Sequence, residues 1–348
     1  MKQNKFSYYV GIIFLVTFSL ISVTTQIVQA EETSGMTFNM ESVLSEKQWE
    51  KGTSSSYFDL LMKPGEETQL KVVVSNDSEQ AQKINVFPAD AYTSQTGLID
   101  YTIDQKKLDK TLKHPMTTLV SNAQLIELQP KESKEVVFDL KSPEESIAGI
   151  IVGAIVAEGV DNQDATSKKT QGVSIVNKFQ IVKPIILRQN ELIIKTDLKL
   201  NKVAFGSVGS QPVVIANISN VTPTKFGDLS LEAKIRKNKQ DKVLKSQKVK
   251  DLEMAPNSNF DFPIYLEDAN LEAGDYELEL VARTNGESWT FKEPFKVTSE
   301  QSKELNQAVA EKPKEDVKQK KPIGLIVFVV VVTIGAISGI GYWYWKKK

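Results

Sequence analysis

A chain of 348 residues with 43 Lys and Arg against 44 Asp and Glu has a formal charge of −1, and 41% of its side chains are hydrophobic. That is enough apolar material for two domains of ordinary size, and the even charge balance offers nucleic acid no basic face. It has no cysteine and one histidine, which excludes disulfides, zinc–thiolate sites, iron–sulfur clusters and cysteine nucleophiles and leaves too little imidazole for a multi-histidine metal site.

Residues 1–30 start with Lys2 and Lys5, continue as an apolar run from Phe6 to Val23, and end on the small residues Val28 and Ala30. A basic start, apolar middle and small-x-small exit describe a secretory signal peptide cut after Ala30. An exported chain without disulfides must be stabilised by its hydrophobic cores, which fits a Gram-positive bacterial surface better than a eukaryotic secretory route. The Asn-x-Ser/Thr triplets at Asn76, Asn217 and Asn220 are read as chance matches on that ground. Without the leader and the terminal lysine triplet, 38 cationic side chains face 44 acidic ones, a charge of −6 on the exported part.

Residues 31–188 show period-two alternation, the mark of half-buried strands. Leu70, Val72 and Val74 alternate with Gln69, Lys71 and Val73; Val136, Phe138 and Leu140 alternate with Glu135, Val137 and Asp139. Lys63-Pro64-Gly65-Glu66 suits a type II turn, Pro presetting φ and Gly taking the positive one. Ile147 to Ala157 is almost wholly apolar around Gly149 and Gly153. It is too short to cross a membrane and reads as a strand buried on both faces, its glycines marking a bulge or a close backbone approach; periodicity alone leaves a helix open. A second alternating series occupies 189–299. There Leu229, Leu231, Ala233 and Ile235 oppose Ser230, Glu232, Lys234 and Arg236, and Tyr276, Leu278 and Leu280 follow the break at Ala273-Gly274-Asp275. The expectation is an all-β protein of two sandwich domains in tandem.

From 300 to 322 the chain is charged, poor in large apolar residues and broken by Pro313 and Pro322, which describes a stalk, helical at most over Ser302 to Glu311. Residues 323–345 carry no charge, and at about 1.5 Å per residue they reach roughly 35 Å, the length of a single transmembrane helix. Lys346, Lys347 and Lys348 then form a cytoplasmic tail, with Tyr342, Trp343, Tyr344 and Trp345 as an aromatic belt at the inner interface. Gly335 and Gly339 are candidates for helix pairing. No LPxTG pentapeptide precedes the span, so the expectation is a retained single-pass anchor in the cell membrane, N-terminal domains outside.

Catalytic candidates are sparse. His114, beside Pro115, reads as a loop residue, and the carboxylates mostly take the solvent-facing phase of alternating strands, as Glu277 and Glu279 do. Asp161-Asn162-Gln163-Asp164 lacks the glycine and closing glutamate of a calcium loop, and Gly206 and Gly209 have no helix after them to make a phosphate cradle. No catalytic residue, metal or cofactor is therefore assigned. Trp49, Tyr57, Phe58, Tyr92 and Tyr101 are the candidates for glycan binding, since sugar rings pack on flat apolar faces, although strands also bury aromatics routinely.

Two stretches carry more than a generic pattern. Tyr57-Phe58-Asp59-Leu60, Pro64-Gly65, Val74-Ser75-Asn76 and Ala91-Tyr92-Thr93 with Gly97 and Tyr101 resemble the first domain of the WxL-interacting protein family of low-GC Gram-positive cell surfaces. Met254-Ala255-Pro256-Asn257-Ser258-Asn259-Phe260-Asp261-Phe262-Pro263-Ile264, then Ala273-Gly274-Asp275-Tyr276, Trp289, Phe291 and Phe295, resemble its second domain. The resemblance implies two immunoglobulin-like domains on a C-terminal transmembrane helix. It also implies peptidoglycan as ligand of the first domain, host extracellular protein as ligand of the second, and WxL-domain surface proteins as partners. The expectation is a non-enzymatic surface scaffold. The rival readings are a host-matrix adhesin with a structural first domain and, in the enzyme class, a wall glycan hydrolase.

Overall fold

The computed structural model describes residues 37–50, 56–101, 108–160, 179–209, 211–266, 271–284, 286–303 and 346. The signal peptide, most of the stalk, the apolar span with Gly335, Gly339 and Tyr342 to Trp345, the tail residues Lys347 and Lys348, and the Asp161–Asp164 loop lie outside them. Among the described residues no helix is long and apolar enough to cross a membrane.

The first half contains β1 (Phe38–Val43), β2 (Phe58–Leu61), β3 (Glu67–Asn76), β4 (Gln82–Asp90), the short pair β5 (Tyr92–Thr93) and β6 (Ile99–Asp100), the single-turn helix α1 (Met116–Leu119), β7 (Gln124–Leu128), β8 (Ser133–Lys141), β9 (Ile150–Gly159) and β10 (Gln180–Arg188). They form two facing sheets, β1-β3-β8 and β2-β10-β9-β4-β7. The predicted alternation is what packs them. Leu70, Val72 and Val74 of β3 lie beside Phe138, Val136 and Lys134 of β8, and the apolar members point at Ile155, Ile185 and Leu187 of the other sheet. Pairing is antiparallel except where β2 runs parallel to β10, adding an edge strand.

The second half follows with β11 (Leu198–Val208), β12 (Gln211–Asn220), β13 (Phe226–Lys237), β14 (Val243–Met254), β15 (Ser258–Tyr265), β16 (Gly274–Thr284) and β17 (Glu287–Val297). Its sheets are β11-β12-β15 and β14-β13-β16-β17, all antiparallel. The two halves share a plan: β1-β3-β8 corresponds to β11-β12-β15, and β7-β4-β9-β10 to β14-β13-β16-β17, with β2 as the first half's addition.

The same local device recurs at corresponding places. Asn76 ends β3 and Asn220 ends β12, and both are buried, at 1% and 0% exposure. Each side-chain oxygen accepts from the residue two further on: Ser78 N and Oγ for Asn76, Thr222 N and Oγ1 for Asn220. Each side-chain NH2 donates to carbonyls across the sandwich, Leu128 and Gln129 in one half, Ala255 in the other. The Asn-x-Ser/Thr triplets at these two positions are therefore buried turns that satisfy their own backbone, a structural reason that the reading as chance matches had missed.

Turns occur where the chemistry required them. Gly65 has φ +67 and Glu66 N donates to Lys63 O at 3.2 Å. After Pro130 and Pro256, Lys131 and Asn257 take φ of 62° and 49°. The apolar run forms the strand β9 only from Ile150 onward, buried on both faces from Ile151 to Ala157, with Ile147 to Gly149 leading into it; this resolves the helix alternative. Gly153 lies where a Cβ would stand 2.4 Å from Met116 Cβ and 2.6 Å from the Ala89 carbonyl oxygen, so α1 can lie on the strand only because the side chain is missing. Past β17, Thr298 Oγ1 accepts from Gln301 N while Gln301 Oε1 accepts from Thr298 N. This reciprocal capping box starts a helical turn over 299–303, slightly ahead of the expected onset at Ser302.

The contact at Gly153 is backbone as well as side chain, so it cannot relax cheaply. Gly153→Ala should lower unfolding stability by about 1–3 kcal/mol through overpacking. Urea unfolding of the wild type and variant, comparing midpoints at constant slope, checks this.

Candidate functional site

The five aromatic candidates separate in space. Phe58 is corrected outright: it has 0% exposure inside the first core, because β2 directs Phe58 and Leu60 inward, and it has no face left for a sugar. Tyr92 donates its hydroxyl to Asp100 Oδ2 across the β5–β6 pair. Tyr57 and Tyr101 pack against a small cluster formed by Ala91, Val152 and Ile186 of the first half with Ala255 of the second. Burial, with Glu253 nearby, pushes the Tyr101 hydroxyl up to about 12. These tyrosines line a joint between the two sandwiches.

The joint is a hydrogen-bonded closure around that cluster. Ala255 N donates to Thr93 Oγ1 at 3.1 Å, and Ser258 Oγ donates to Ala255 O at 2.8 Å. Ser258 has one hydroxyl proton, already committed, so in the 2.6 Å contact between Thr93 Oγ1 and Ser258 Oγ the threonine is the donor. The result is a closed circuit in which every polar atom is satisfied, with Thr93 at 3%, Ser258 at 5% and Ala255 at 0% exposure. Around it Glu253 N donates to Gly97 O and Ile150 N to Pro223 O. Gly97 and Gly149 hold φ of +74° and +78°, and a Cβ on Gly149 would meet Pro223 O at 2.1 Å.

Asp109 reaches across beside it. Its Oδ2 accepts from Asn259 Nδ2 at 2.8 Å and Ser219 Oγ at 3.1 Å, and its Oδ1 from Thr111 N and Oγ1 at 2.9 and 2.7 Å. Burial alone would raise this carboxyl, but the donors from Thr111, Asn259 and Ser219 outweigh it and hold the pKa below the ordinary 3.8. Sequence reading did not single out Thr93, Asp109, Ser258 or Asn259 as functional. The signal was present: the stretches around Thr93 and Ser258 that carry the family resemblance in each half are the ones that touch here.

Trp49 is placed elsewhere. Its ring lies 3.9 Å beneath the Arg188 guanidinium, its Nε1 donates to Glu191 Oε1 at 3.1 Å, and its backbone N donates to Asp59 O. Arg188 is fixed by an ion pair to buried Asp59, so the indole is pinned by a charge that is itself anchored. The ring lines an open cleft of about 240 Å³ with Glu46, Lys47, Gln48, Glu50, Leu61 and Glu191. An aromatic wall rimmed by amide, ammonium and carboxylate groups can hold a ligand rich in hydroxyl and amide groups. His114 is placed away from it, 2.7 Å from Glu145. Among the described residues no three His, Cys, Asp or Glu side chains are grouped as metal ligands.

Fold and site together define a tandem β-sandwich binding protein. Residues 38–158 match the peptidoglycan binding domain of the WxL Interacting Protein family, and residues 170–307 match its host binding domain. Together the matches take up well over half of the chain, in the family's domain order, and the protein belongs to that family. The second match begins before β10, although β10 pairs with β9 and β2 in the first sandwich. No curated protein matches the chain. Among solved structures, a chain from the chaperone–tip adhesin complex of CFA/I fimbriae biogenesis is 13% identical, covering 73% of this chain and 98% of its own, with TM-score 0.30. The E. coli chaperone DraB is 11% identical over 75% and 98%, with TM-score 0.25. The Pseudomonas aeruginosa CupB2 chaperone is 15% identical over 70% and 98%, with TM-score 0.26. Scores of this size carry no argument, and the architecture rests on the strand pairing itself.

Because the folded pKa of Asp109 is depressed, its contribution to the joint is complete above the ordinary carboxylate value and is lost as pH falls through the depressed one. Asp109→Asn turns an acceptor-only group into one that must aim an NH2 at donors, and should weaken the joint by about 1–2 kcal/mol at neutral pH. Distances between spin labels on the two sandwiches, followed downward from pH 7, should broaden in the wild type only once pH has passed below the ordinary carboxylate value. In the variant they should already be broad at pH 7.

Proposed function

We propose that this protein is a non-enzymatic scaffold of the bacterial cell surface. In this reading the leader 1–30 exports it, the span 323–345 holds it in the cell membrane with its C-terminus in the cytoplasm, and the segment 300–322 spaces the two sandwiches from the bilayer. The first domain, 31–188, engages peptidoglycan. The second, 189–299, engages a protein: a WxL-domain surface partner and, through it or directly, a host extracellular protein. Membership of the WxL Interacting Protein family, whose two domains are binding modules, supports this assignment.

The observation that carries it is the joint. A fully satisfied, buried circuit between Thr93, Ala255 and Ser258 ties the two binding modules together at a fixed spacing. Two ligands held on one body are then brought within reach of each other, raising their effective concentration without any new contact. On the first domain the Trp49 cleft is the proposed glycan contact, since four of the five aromatic candidates are taken up by the core, the joint or a local hydroxyl bond. On the second domain, strand addition by an extended partner segment is the proposed mode. The outer edge of β15 is closed to it, because the Gln247 amide already bonds Tyr265 N and Pro263 O.

Sedimentation of the soluble exported part, 31–299, with purified wall sacculi tests the reading. The wild type should pellet with the sacculi, and Trp49→Ala should weaken retention about tenfold, the effect of losing one aromatic anchor of roughly 1.4 kcal/mol. Failure of the wild type to pellet would remove peptidoglycan from the function; an unchanged Trp49→Ala would move the contact away from this cleft.

A further inference from the structure

The first domain carries a second hollow beside the one at Trp49. It encloses about 610 Å³ on the outer face of the β1-β3-β8 sheet, where Glu67 and Gln69 of β3 stand opposite Lys141 and Asp139 of β8. The register explains this lining: the inward phase of the two strands, Leu70, Phe138 and Leu140, fills the core, so these four polar side chains are turned to water. The segment 118–121 lies along the outer edge of β8, fastened by Ser121 N to Asp139 O and by Asp139 N to Ser121 Oγ at 3.0 Å. Past the end of β1, the Ser45 and Thr68 hydroxyls bond at 3.1 Å and the Lys47 ammonium pairs with Glu66. Thr68 lines the basin while Glu46 and Lys47 line the Trp49 cleft, so the two hollows share a boundary.

The basin has hydrogen-bonding capacity to offer. Asp139 Oδ1 accepts from Gln69 Nε2 at 3.1 Å, and neither Asp139 Oδ2 nor Gln69 Oε1 bonds any described residue. Ser121 Oγ serves as an acceptor, so its proton remains for a ligand. Half-buried Leu119 adds an apolar wall. The cation here, Lys141, lies 2.8 Å from Glu144 and 3.8 Å from Glu67, while Asp139 forms no ion pair with any described residue. The balance of charge is negative, which turns away phosphate and sulfate polymers. A hydroxyl group both donates and accepts, so donors and acceptors set side by side against an apolar wall suit a surface of hydroxyl and C–H groups: an uncharged sugar ring. With strands about 4.8 Å apart, the basin and its boundary span roughly 10–15 Å before the Trp49 cleft begins, which favours a chain of rings over a single one.

We propose that the basin of Gln69, Asp139 and Ser121 is a second carbohydrate subsite, continuous with the Trp49 cleft, and that the two together hold one uncharged stretch of the wall's sugar backbone. The proposal rests on the wall-binding reading of the first domain and adds the class of ligand to it: the glycan and not its peptides. Trp49 supplies a flat apolar face for one ring, and the basin supplies directional polar contacts to others along the same chain. A strand occupying both is held at two points, and the second contact forms at the high effective concentration that the first creates.

The test uses the full chain in detergent micelles, with the β-1,4-linked hexamer and dimer of N-acetylglucosamine as probes and with pelleting on purified sacculi in parallel. The hexamer should bind about a hundredfold more tightly than the dimer, because only it reaches both subsites. Being uncharged, it should lose less than about twofold in affinity between about 50 and 200 mM salt. Gln69→Ala and Asp139→Ala combined should lower hexamer affinity about tenfold. Asp139→Asn, which keeps an acceptor and the shape, should stay within about threefold of the wild type and so separates a lost contact from a lost fold. Wild type that pellets with sacculi but binds hexamer and dimer alike, or a double variant that binds the hexamer unchanged, overturns the second subsite and leaves the wall reading standing. Wild type that pellets, ignores the hexamer and binds peptides freed from the sacculi overturns the proposal in favour of a peptide ligand. Hexamer binding without pelleting overturns the wall reading. An N-acetyllactosamine hexamer binding about tenfold more tightly overturns the assignment to the wall, in favour of a host glycan.

Discussion

The circuit of hydrogen bonds through Thr93, Ser258 and the backbone of Ala255 is the constraint on which the rest of the arrangement depends. Each of its atoms is nearly out of water, where an unsatisfied polar group costs about 1–3 kcal/mol. Opening the joint would return them to water, so the penalty falls on any closed arrangement that leaves one of them misaligned. Closing it satisfies all of them at once and covers the small cluster of Ala91, Val152, Ile186 and Ala255. The joint therefore has one strongly preferred geometry, and the positions of the Trp49 cleft and the polar contacts of Asp109 are set relative to one another by it.

The two sandwiches reach that geometry through a shared plan. Buried Asn76 and Asn220 occupy corresponding strand ends, and in each half the asparagine fastens its turn to the opposite sheet. In the second half this turn is part of the joint surface: Asn220 holds Ala255 O, and Asn257 N donates to Thr222 O. A feature that stabilises the fold of either half thus also shapes one side of the contact between them. The glycines serve the same end. Gly97 and Gly149 adopt backbone angles that other residues reach only with strain, and both approach the facing half closely enough that a side chain would collide.

Much of the fold was readable in the alternation of apolar residues. Leu70, Val72 and Val74, or Leu229, Leu231 and Ala233, declare a strand and its inward face without reference to anything else, because a pleated strand places successive side chains on opposite sides. Proline and glycine declared the turn at Lys63–Glu66 for an equally local reason. The site was less legible. Tyr57, Phe58 and Trp49 are all aromatic residues in β-rich surroundings, yet one lines the joint, one fills the core and one is stacked beneath Arg188. Composition and spacing do not separate these fates, since Phe58 to Leu60 of β2 are buried where the strand pairs beside β10 while Leu61, next along, is exposed.

By itself the sequence determined the strands, the turns, the lack of disulfides and cysteine chemistry, and membership of a family, because each depends on residue type and near neighbours. It also contained both stretches that make the joint. Only the tertiary structure decided that they meet, 162 residues apart at Thr93 and Ala255 and 150 apart at Asp109 and Asn259. Contacts of that range are set by how two sheets stack and how two sandwiches close, and no local pattern in the chain encodes that distance.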